Sequence, residues 1–398
     1  MTSVVIVGSS AAGLTVAEGL RMGGLHDRIT LIDKDRHAWD PYDRPPLSKQ
    51  LLSGAWSEPQ LRLRPPEVIE QLGVQFVPER ATAVHRDGQY VQLEHGSVVP
   101  YNALVVATGL TPRIPPAWSG LSGVHVLHTL DHGLALRAAL TEARHVVIVG
   151  AGVLGCEIAA TARSLGCNVC LVDELGAPMS QSLGSQIGRL VQTLHTLNGV
   201  RVVTHTRVTE IIEAADGRVG AVRVAGETVP ADVIVVAIGG TPEVGWLRNA
   251  DGLIIDDGLV CDSRCRAAPG IFAAGDAARW YHEGLRQSIR LENRTNATEQ
   301  ALAVAANILG ADEPYCPTPY FWSDQFGVRL QVLGQVHTSS RIEFLEGEPD
   351  GRRFLAVAKT GERVDAVIGW GHPRGVVAAR ALVTPRYARK ATPTSTGA

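Results

Sequence analysis

Two glycine-rich loops, each placed between an apolar strand and a helix, constrain the fold of this chain most strongly. In the second loop, the apolar run Val146–Val149 leads into Gly150–Gly155, which reads GAGVLG and completes a G-x-G-x-x-G pattern. A helix rich in small residues follows and is predicted to end at Gly166. This strand, turn and helix predict a binding site for a dinucleotide pyrophosphate, because N–H groups at a helix N-terminus point at the phosphates.

Each glycine of the second loop has a predicted role. Gly150 makes the tight turn, Gly152 lets the backbone approach the phosphate, and Gly155 lets the helix pack against the strand. Asp173 ends the next apolar strand. An acid about 20 residues beyond such a loop hydrogen-bonds a ribose hydroxyl.

The first loop, Gly8–Gly13, is a degenerate copy that reads GSSAAG, with Ser10 where the second glycine is expected. It follows the strand Val4–Val7, and an acid again lies after the next strand, as Asp33 or Asp35. One of these acids has the alternative role of capping the following segment. Two loops, each with a downstream acid, predict an α/β fold with two Rossmann-like dinucleotide-binding domains.

A repeated strand pattern indicates that the second domain is inserted into the first. Ala103–Gly109 reads ALVVATG and Ala231–Gly240 reads ADVIVVAIGG, and a proline follows each of them. The composition changes near Pro314, and alternating strands then predict a C-terminal α+β domain. We expect the first domain at 1–110 and 237–314, the second at 111–236 and the C-terminal domain at 315–398.

Composition narrows the class of protein. A length of 398 residues suggests two or three domains, and a formal net charge of −3 gives no reason to expect a nucleic-acid partner. No apolar run approaches the ~20 residues of a membrane span, and the N-terminus has no charged region of a signal peptide. Six cysteines in this length do not suggest a disulfide framework. We expect a cytoplasmic protein that spans no membrane.

The segment Trp39–Leu52 is predicted to be turn-rich and then helical, and it carries Arg44 and Lys49. From this segment alone, two solvated charges are the favoured interpretation. Within it, residues 42–49 read YDRPPLSK; much later, residues 321–325 read FWSDQ, and Gly275 and Asp276 close an apolar strand.

Together with the two loops, these motifs resemble the FAD-dependent NADH:ferredoxin reductases, which serve Rieske-type oxygenases and class I cytochromes P450. The resemblance covers essentially the whole chain. It implies that the first loop holds FAD and that the inserted domain binds NADH. It further implies that hydride passes from NADH to the flavin, and that electrons then leave singly to a [2Fe–2S] ferredoxin. We expect a monomer or a weak homodimer.

The resemblance also implies roles for individual residues. Lys49 pairs with Glu157 near flavin N5, Asp276 binds the ribityl–phosphate part of FAD, and Trp322 lies beside the isoalloxazine. This reverses the solvated interpretation of Lys49, because buried charges are tolerated as pairs. The expected catalytic residues are Lys49 and Glu157. The expected FAD-binding residues are Gly8, Ser10, Ala11, Ala12, Gly13, Asp33, Asp35, Arg44, Lys49, Thr108, Gly109, His128, Gly275, Asp276, Arg294 and Trp322. The expected NADH-binding residues are Gly150, Gly152, Val153, Leu154, Gly155, Asp173, Glu174 and Gly239.

Asp173 predicts a preference for NADH, because its carboxylate accepts from the ribose 2′-OH and repels a 2′-phosphate. One charge pair at ~4 Å and an effective dielectric of ~20 is worth up to about 4 kcal/mol, and a third of that is roughly tenfold in affinity.

The chain departs from the family pattern at two positions. His128 stands where an arginine that contacts FAD is usual, and Arg294 stands where a small apolar or aromatic residue is common. Two alternative functions remain open. One is a rubredoxin- or nitrite-reductase-type flavin reductase, and the other is a redox-signalling flavoprotein of the apoptosis-inducing-factor kind.

Other candidate sites are weaker. Cys167 and Cys170 lie at the entry to a strand, which favours two packed thiols over a redox pair. No cysteine precedes Cys156, which argues against disulfide-reductase chemistry at the flavin. His128 and His132 have no evident third ligand, so we expect no metal. Four arginines form either a basic surface for an acidic ferredoxin or a solvated charge run. They are Arg286, Arg290, Arg294 and Arg329.

Overall fold

The computed structural model describes residues 3–349 and 353–388. Its first sheet has six strands and is parallel apart from one edge strand. Every residue of the central strands is buried, and all but Thr30 are aliphatic, as in strands covered on both faces. In spatial order the strands are Arg266–Ala268, Ile271–Ala273, Ala103–Val106, Val4–Val7, Ile29–Ile32 and Gln75–Val77.

The second sheet has five parallel strands and repeats the same plan. Its central strand, His145–Val149, leads into the second glycine-rich loop, as Val4–Val7 leads into the first. The strands in spatial order are Arg201–Val203, Asn168–Val172, His145–Val149, Val233–Val236 and Val124–His125. All of them lie between the two chain crossings described next.

Two short strands mark the crossings between the sheets. Leu110–Pro112 pairs antiparallel with Gly240–Pro242, so both connections run side by side. This pairing agrees with the repeated strand pattern of the sequence, although the exact domain limits stay a prediction. Three small three-stranded sheets flank the large ones, two of them antiparallel and the third mixed. The first antiparallel sheet consists of Ala81–His85, Tyr90–Leu93 and Val98–Pro100, and the second consists of Val208–Glu213, Val219–Val224 and Glu227–Pro230. The mixed sheet consists of Leu259–Cys261, Ala278–His282 and Gln287–Ile289, and in it Leu259–Cys261 pairs in parallel with Ala278–His282.

Helices cover the two parallel sheets. Ala11–Met22 packs closely on Arg294–Ile308, since a Cβ on Gly19 would lie 2.8 Å from Ala305 Cβ. The helix Ser180–Leu197 is interrupted at Gly184, whose φ of 72° is not helical. The other helices are Pro66–Gln71, Leu130–Glu142 and Val153–Ser164.

The C-terminal region forms one antiparallel sheet of five strands and two short helices, so the predicted α+β character is confirmed. The strand Arg363–Trp370 lies at the centre of this sheet and was not predicted. Residues 389–398 of the expected domain lie outside the described part of the chain. In order, the strands are Tyr320–Gln325, Val328–Gly334, Arg363–Trp370, Phe354–Thr360 and Arg341–Glu346; the helices are Pro373–Ala378 and Thr384–Tyr387.

One helix prediction was wrong. Within Trp39–Leu52 only the short 3-10 helix Pro45–Ser48 forms, and turns follow it. The two prolines occupy the first turn, where a helix tolerates them, and the helix ends because Lys49 has a non-helical backbone with φ −122° and ψ −87°. The hydroxyl of Ser48 donates to Glu157. Among residues 3–349 and 353–388, no helix combines the length and apolarity that crossing a membrane requires.

Candidate functional site

The first glycine-rich loop is a tight turn that requires glycine at its first position. Gly8 has a φ of +105°, and a Cβ there would lie 2.2 Å from the carbonyl oxygen of Ala107. Asp33 fixes the loop, because its Oδ2 accepts from the backbone N–H of Ser9 over 2.7 Å. Ser10 is the N-cap residue of the following helix, and its side chain makes no capping hydrogen bond.

The second loop has the same construction. Gly150 has a φ of +102°, and a Cβ there would lie 2.3 Å from the carbonyl oxygen of Ala237. Asp173 Oδ2 accepts from the backbone N–H of Ala151, as Asp33 does in the first loop. Gly152 faces open space, because a Cβ added to it would meet no atom within 4 Å. Open space at a helix N-terminus is the kind of place where a phosphate can approach backbone N–H groups.

Both downstream acids of the first loop also cap the turn that follows them. Asp33 Oδ1 accepts from the N–H of Asp35 over 2.9 Å, and Asp35 Oδ1 accepts from the N–H of His37 over 2.9 Å. The hydroxyl of Tyr42 donates to Asp35 Oδ2 over 3.0 Å. Asp33 is the counterpart of Asp173, because both reach back to their own loop.

One cavity of about 1320 Å³ extends between the two loops. Every residue expected to bind FAD or NADH lines it, apart from Gly13 and Gly155, and Glu157 lines it as well. A Cβ on Gly13 would lie 1.8 Å from Gly8 O, and one on Gly155 would lie 1.9 Å from Gly150 O. These two glycines therefore allow the helix to pack closely against the turn. They face the turn, and for that reason they do not line the cavity.

Lys49 and Glu157 meet at the cavity wall. Lys49 Nζ lies 2.7 Å from Glu157 Oε2, and the side chains are 14% and 6% exposed. Ser48 Oγ donates to the same carboxylate oxygen over 2.6 Å, and Ser323 Oγ donates to Oε1 over 2.9 Å. Removing one partner of such a buried pair leaves an uncompensated charge, which costs about 3–5 kcal/mol.

The arginine of the turn-rich segment contacts the histidine that departs from the family pattern. Arg44 donates from its NH1 to His128 Nε2 over 2.9 Å. Burial, and then the charge of Arg44, lower the pKa of His128 to about 3, so the imidazole is neutral and accepts the bond. His128 therefore orients the cation that an arginine at its position would repel.

Arg294, the second residue that departs from the family pattern, also has a partner that accounts for it. Arg294 Nε donates to Asp43 Oδ1 over 2.6 Å, so this cation at the cavity wall has a partner within the turn-rich segment. Arg290 pairs with Asp257 at 3.0 Å, and Arg329 lies 3.8 Å from Asp324. Three of the four arginines considered as a basic surface are thus engaged in ion pairs.

Asp276 and Trp322 line the same cavity from the first sheet and the C-terminal sheet. Burial raises the pKa of the Asp276 carboxyl to about 6, and Glu292 contributes in the same direction. The ring of Trp322 stacks on Tyr320 with 5.9 Å between centroids, and the guanidinium of Arg329 lies 5.9 Å from the Trp322 centroid.

Three residues at or behind the cavity wall were not identified from the sequence as site residues. Ser48 and Ser323 complete the carboxylate contacts of Glu157, and Glu243 lies 3.7 Å from Lys34 and 3.8 Å from Arg80 on the cavity wall. The YDRPPLSK and FWSDQ motifs contained the two serines. No local pattern indicated Glu243, which reaches the wall through the second crossing.

The residues present fit the two expected cofactors. Arg44 and Trp246 line the cavity, and their Nε and Nε1 atoms are buried donors without a partner in the described residues. Such donors suit phosphate or carbonyl oxygens. The cavity also exceeds the roughly 300–1,000 Å³ of ordinary small-ligand pockets, which leaves room for two extended molecules.

Metal and disulfide chemistry find no support in the described residues. No cluster of three or more His, Cys, Asp or Glu with metal-binding geometry occurs among them. His128 precedes the helix Leu130–Glu142, so it does not share a helical face with His132. All six cysteines are free thiols, and burial raises the pKa of Cys170 to about 11.

Comparison with known proteins decides the family. Residues 2–301 match the model described as pyridine nucleotide-disulphide oxidoreductase, and residues 320–394 match the one described as reductase C-terminal. The chain belongs to the pyridine nucleotide-disulphide oxidoreductase family. It is therefore an oxidoreductase, and the predicted fold class is confirmed.

Individual relatives agree with the resemblance. The chain is 34% identical to rhodocoxin reductase of Rhodococcus erythropolis, over 96% of this chain and 89% of that protein. It is 35% identical to the anthranilate 1,2-dioxygenase system ferredoxin–NAD(+) reductase component of Burkholderia cepacia, over 95% and 93%. The crystal structure of the covalent putidaredoxin reductase–putidaredoxin complex matches with a TM-score of 0.91 and 32% identity, over 97% of this chain and 93% of that chain. The resemblance to ferredoxin reductases is confirmed, while the roles of single residues stay predictions.

Proposed function

We propose that this protein transfers electrons from NADH through FAD to a [2Fe–2S] ferredoxin, which supplies a Rieske oxygenase or a cytochrome P450. The observation that supports this function is the single cavity in which two dinucleotide loops converge on the Lys49–Glu157 pair. The names of the relatives point to the same activity.

The two loops have different cofactors in this proposal. The first loop, Asp33 and Asp276 bind FAD within a domain made of residues 1–110 and 237–314. The second loop, with Asp173, binds NADH within residues 111–236. Residues 315–398 supply Trp322 to the flavin side of the cavity. Bound FAD supplies the redox chemistry, because it accepts a hydride from nicotinamide and releases electrons one at a time.

The chain positions charge around that chemistry. Glu157 fixes the ammonium of Lys49 at the cavity wall, where a solvated lysine would sample many rotamers. His128 accepts from Arg44, and this bond holds the guanidinium at the cavity wall. Asp173 places a carboxylate at the expected ribose, which favours NADH over NADPH. Comparable kcat/KM values with the two nucleotides would contradict this preference.

A reduction assay tests the proposal. FAD-loaded protein is mixed with NADH and cytochrome c, with and without putidaredoxin or the ferredoxin of a dioxygenase system as the carrier. We expect cytochrome c reduction that depends strongly on the carrier. Turnover with rubredoxin and none with ferredoxin would favour the rubredoxin-type alternative. Reduction of the flavin without turnover would favour a signalling flavoprotein.

A further inference from the structure

A line of buried hydrogen bonds continues from Glu157 into the C-terminal sheet. Ser323 Oγ donates to Glu157 Oε1 over 2.9 Å, and Gln325 Nε2 donates to Ser323 Oγ over 2.9 Å. His195 Nε2 lies 2.9 Å from Gln325 Oε1. Ser323 and His195 are fully buried, and Gln325 is 4% exposed. We call Glu157, Ser323, Gln325 and His195 the Glu157 network.

Every bond of the Glu157 network is directed toward the carboxylate. The amide oxygen of Gln325 only accepts, so His195 Nε2 carries the proton and donates. His195 Nδ1 has no partner in the described part of the chain, and burial lowers the pKa of the ring. A neutral histidine in one tautomer thus orients Gln325, which in turn orients the hydroxyl of Ser323 toward Glu157.

The Glu157 network joins three elements of the fold. Glu157 lies on the helix Val153–Ser164, and His195 lies in the last turn of Ser180–Leu197. Ser323 and Gln325 lie on one face of the strand that also carries Trp322. Since neighbouring strand residues point to opposite faces, the strand that presents Trp322 to the cavity also sets the carboxylate of Glu157.

We propose that Ser323, Gln325 and His195 are positioning residues for hydride transfer, and that they act by fixing the carboxylate of Glu157 toward Lys49. Ser48 and Lys49 both bind Oε2, so the bond from Ser323 is what fixes Oε1 and with it the rotation of the carboxylate. This inference rests on the proposed function, in which Lys49 and Glu157 lie near the flavin. It predicts an effect on the rate of flavin reduction and little effect on NADH affinity.

A double-mutant cycle tests whether Ser323 acts through Glu157. FAD-loaded wild type, Ser323→Ala, Glu157→Gln and the double variant are mixed rapidly with NADH, and flavin reduction is followed by absorbance. We expect Ser323→Ala to slow reduction at saturating NADH about tenfold and to change the NADH dissociation constant less than about twofold. In the Glu157→Gln background, Ser323→Ala should have almost no further effect. Independent, multiplying losses would overturn the proposal.

A matched control separates positioning from simple destabilisation. Gln331→Leu removes a buried amide directly opposite Trp322 on the neighbouring strand, and Gln331 does not contact the Glu157 network. We expect Gln325→Leu and Gln331→Leu to lower the melting temperature of the cofactor-free protein similarly. Only Gln325→Leu should slow flavin reduction and shift the midpoint potential of the bound flavin.

Two outcomes distinguish the inference from the function on which it rests. Equal slowing of flavin reduction in Gln331→Leu and Gln325→Leu would overturn the positioning role. A wild-type protein that is reduced by NADH but does not reduce ferredoxin would contradict the proposed function only, because all variants are compared at the step from NADH to flavin.

Discussion

The two glycine-rich loops share one backbone geometry, and among their three glycine positions they differ only at the second, where the first loop has Ser10 and the second loop has Gly152. Gly8 and Gly150 have φ values of 105° and 102°. Ser10 and Gly152 both take the N-cap position with extended backbone, at φ −74° and −71°. The first position of the turn therefore requires glycine, whereas the same backbone geometry at the second position is adopted by a serine in the first loop and by a glycine in the second.

A second difference lies inside the two following helices. Thr15 and Glu157 stand at corresponding places after Gly8 and Gly150, and each is 5% exposed. The first helix buries a hydroxyl, which carries no charge. The second buries a carboxylate, which must be paired, and its partner Lys49 belongs to the other half of the cavity. The Lys49–Glu157 pair is thus one of the contacts that join the two dinucleotide-type domains.

The largest effect is therefore expected from Glu157→Ala compared with Thr15→Ala. Loss of Glu157 leaves Lys49 buried without a counter-charge, which should lower the free energy of unfolding by about 3–5 kcal/mol. Thr15→Ala should cost about 1 kcal/mol. Urea unfolding of the cofactor-free proteins measures both. Adding Lys49→Met to Glu157→Ala should recover much of the loss, and failure to recover it would show that the pairing is not the cause.

The part of the cavity near the first loop also contains a pH-sensitive contact, the hydrogen bond between Arg44 and His128. The pKa of His128 is about 3 in the folded protein and about 6.5 in an unfolded chain. The unfolded state then binds more protons between these values, so stability falls as pH decreases below 6.5. At pH 5 the loss from this one group is about 2 kcal/mol.

His128→Asn should flatten this dependence. Melting temperatures of the cofactor-free wild type and variant between pH 5 and pH 8 provide the measurement. The two curves should approach each other on acidification, because the variant has no ring to protonate. His145 is only half-buried and serves as the control position, so His145→Asn should leave the slope unchanged. A wild-type slope that survives in His128→Asn would assign the effect to other buried histidines.

Local patterns predicted much of this architecture, because strands and turns are encoded by neighbouring residues. The apolar runs Val4–Val7 and Val146–Val149 and both loops were identified from periodicity and glycine spacing. The pairing of Lys49 with Glu157 came from a resemblance and not from spacing. Nothing local indicates that these two residues meet, since the contact depends on how the inserted domain packs against the first.

What the sequence could not predict are contacts made between distant segments. Asp43 and Ser48 both lie in the turn-rich segment, where Asp43 binds Arg294 and Ser48 binds Glu157. The backbone leaves helical geometry at Lys49, so the predicted helix does not extend beyond Ser48. His195 lies far along the chain from Gln325, and only the packed structure brings its ring to that amide.

Exchanging the residues at the second glycine position, Ser10 in the first loop and Gly152 in the second, tests the comparison of the two loops. Gly152→Ser places a side chain in open space that the proposal assigns to the NADH pyrophosphate, so NADH affinity should fall about tenfold. Ser10→Gly should change FAD affinity less than about twofold, because Ser10 makes no capping bond. Flavin fluorescence and NADH titration measure the two constants. Equal losses in both variants would show that NADH binding does not depend on the open space at Gly152.

The smallest effect is expected at the residues that directly follow Asp33 and Asp173, the two acids that bind their loops. Lys34 follows Asp33, and the exposed Glu174 follows Asp173. Lys34 and Glu174 both line the cavity. Glu174→Lys makes the second site resemble the first in charge while Asp173 keeps its bond to the loop. A cation beside the 2′-position should raise the ratio of kcat/KM for NADPH over NADH about fivefold, and high salt should reduce this gain because the site is exposed. Glu213→Lys, an identical charge change on an exposed strand residue outside the cavity lining, is the control. If Glu213→Lys raised the ratio as much, net charge alone would explain the gain, and Glu174 would have no part in nucleotide choice.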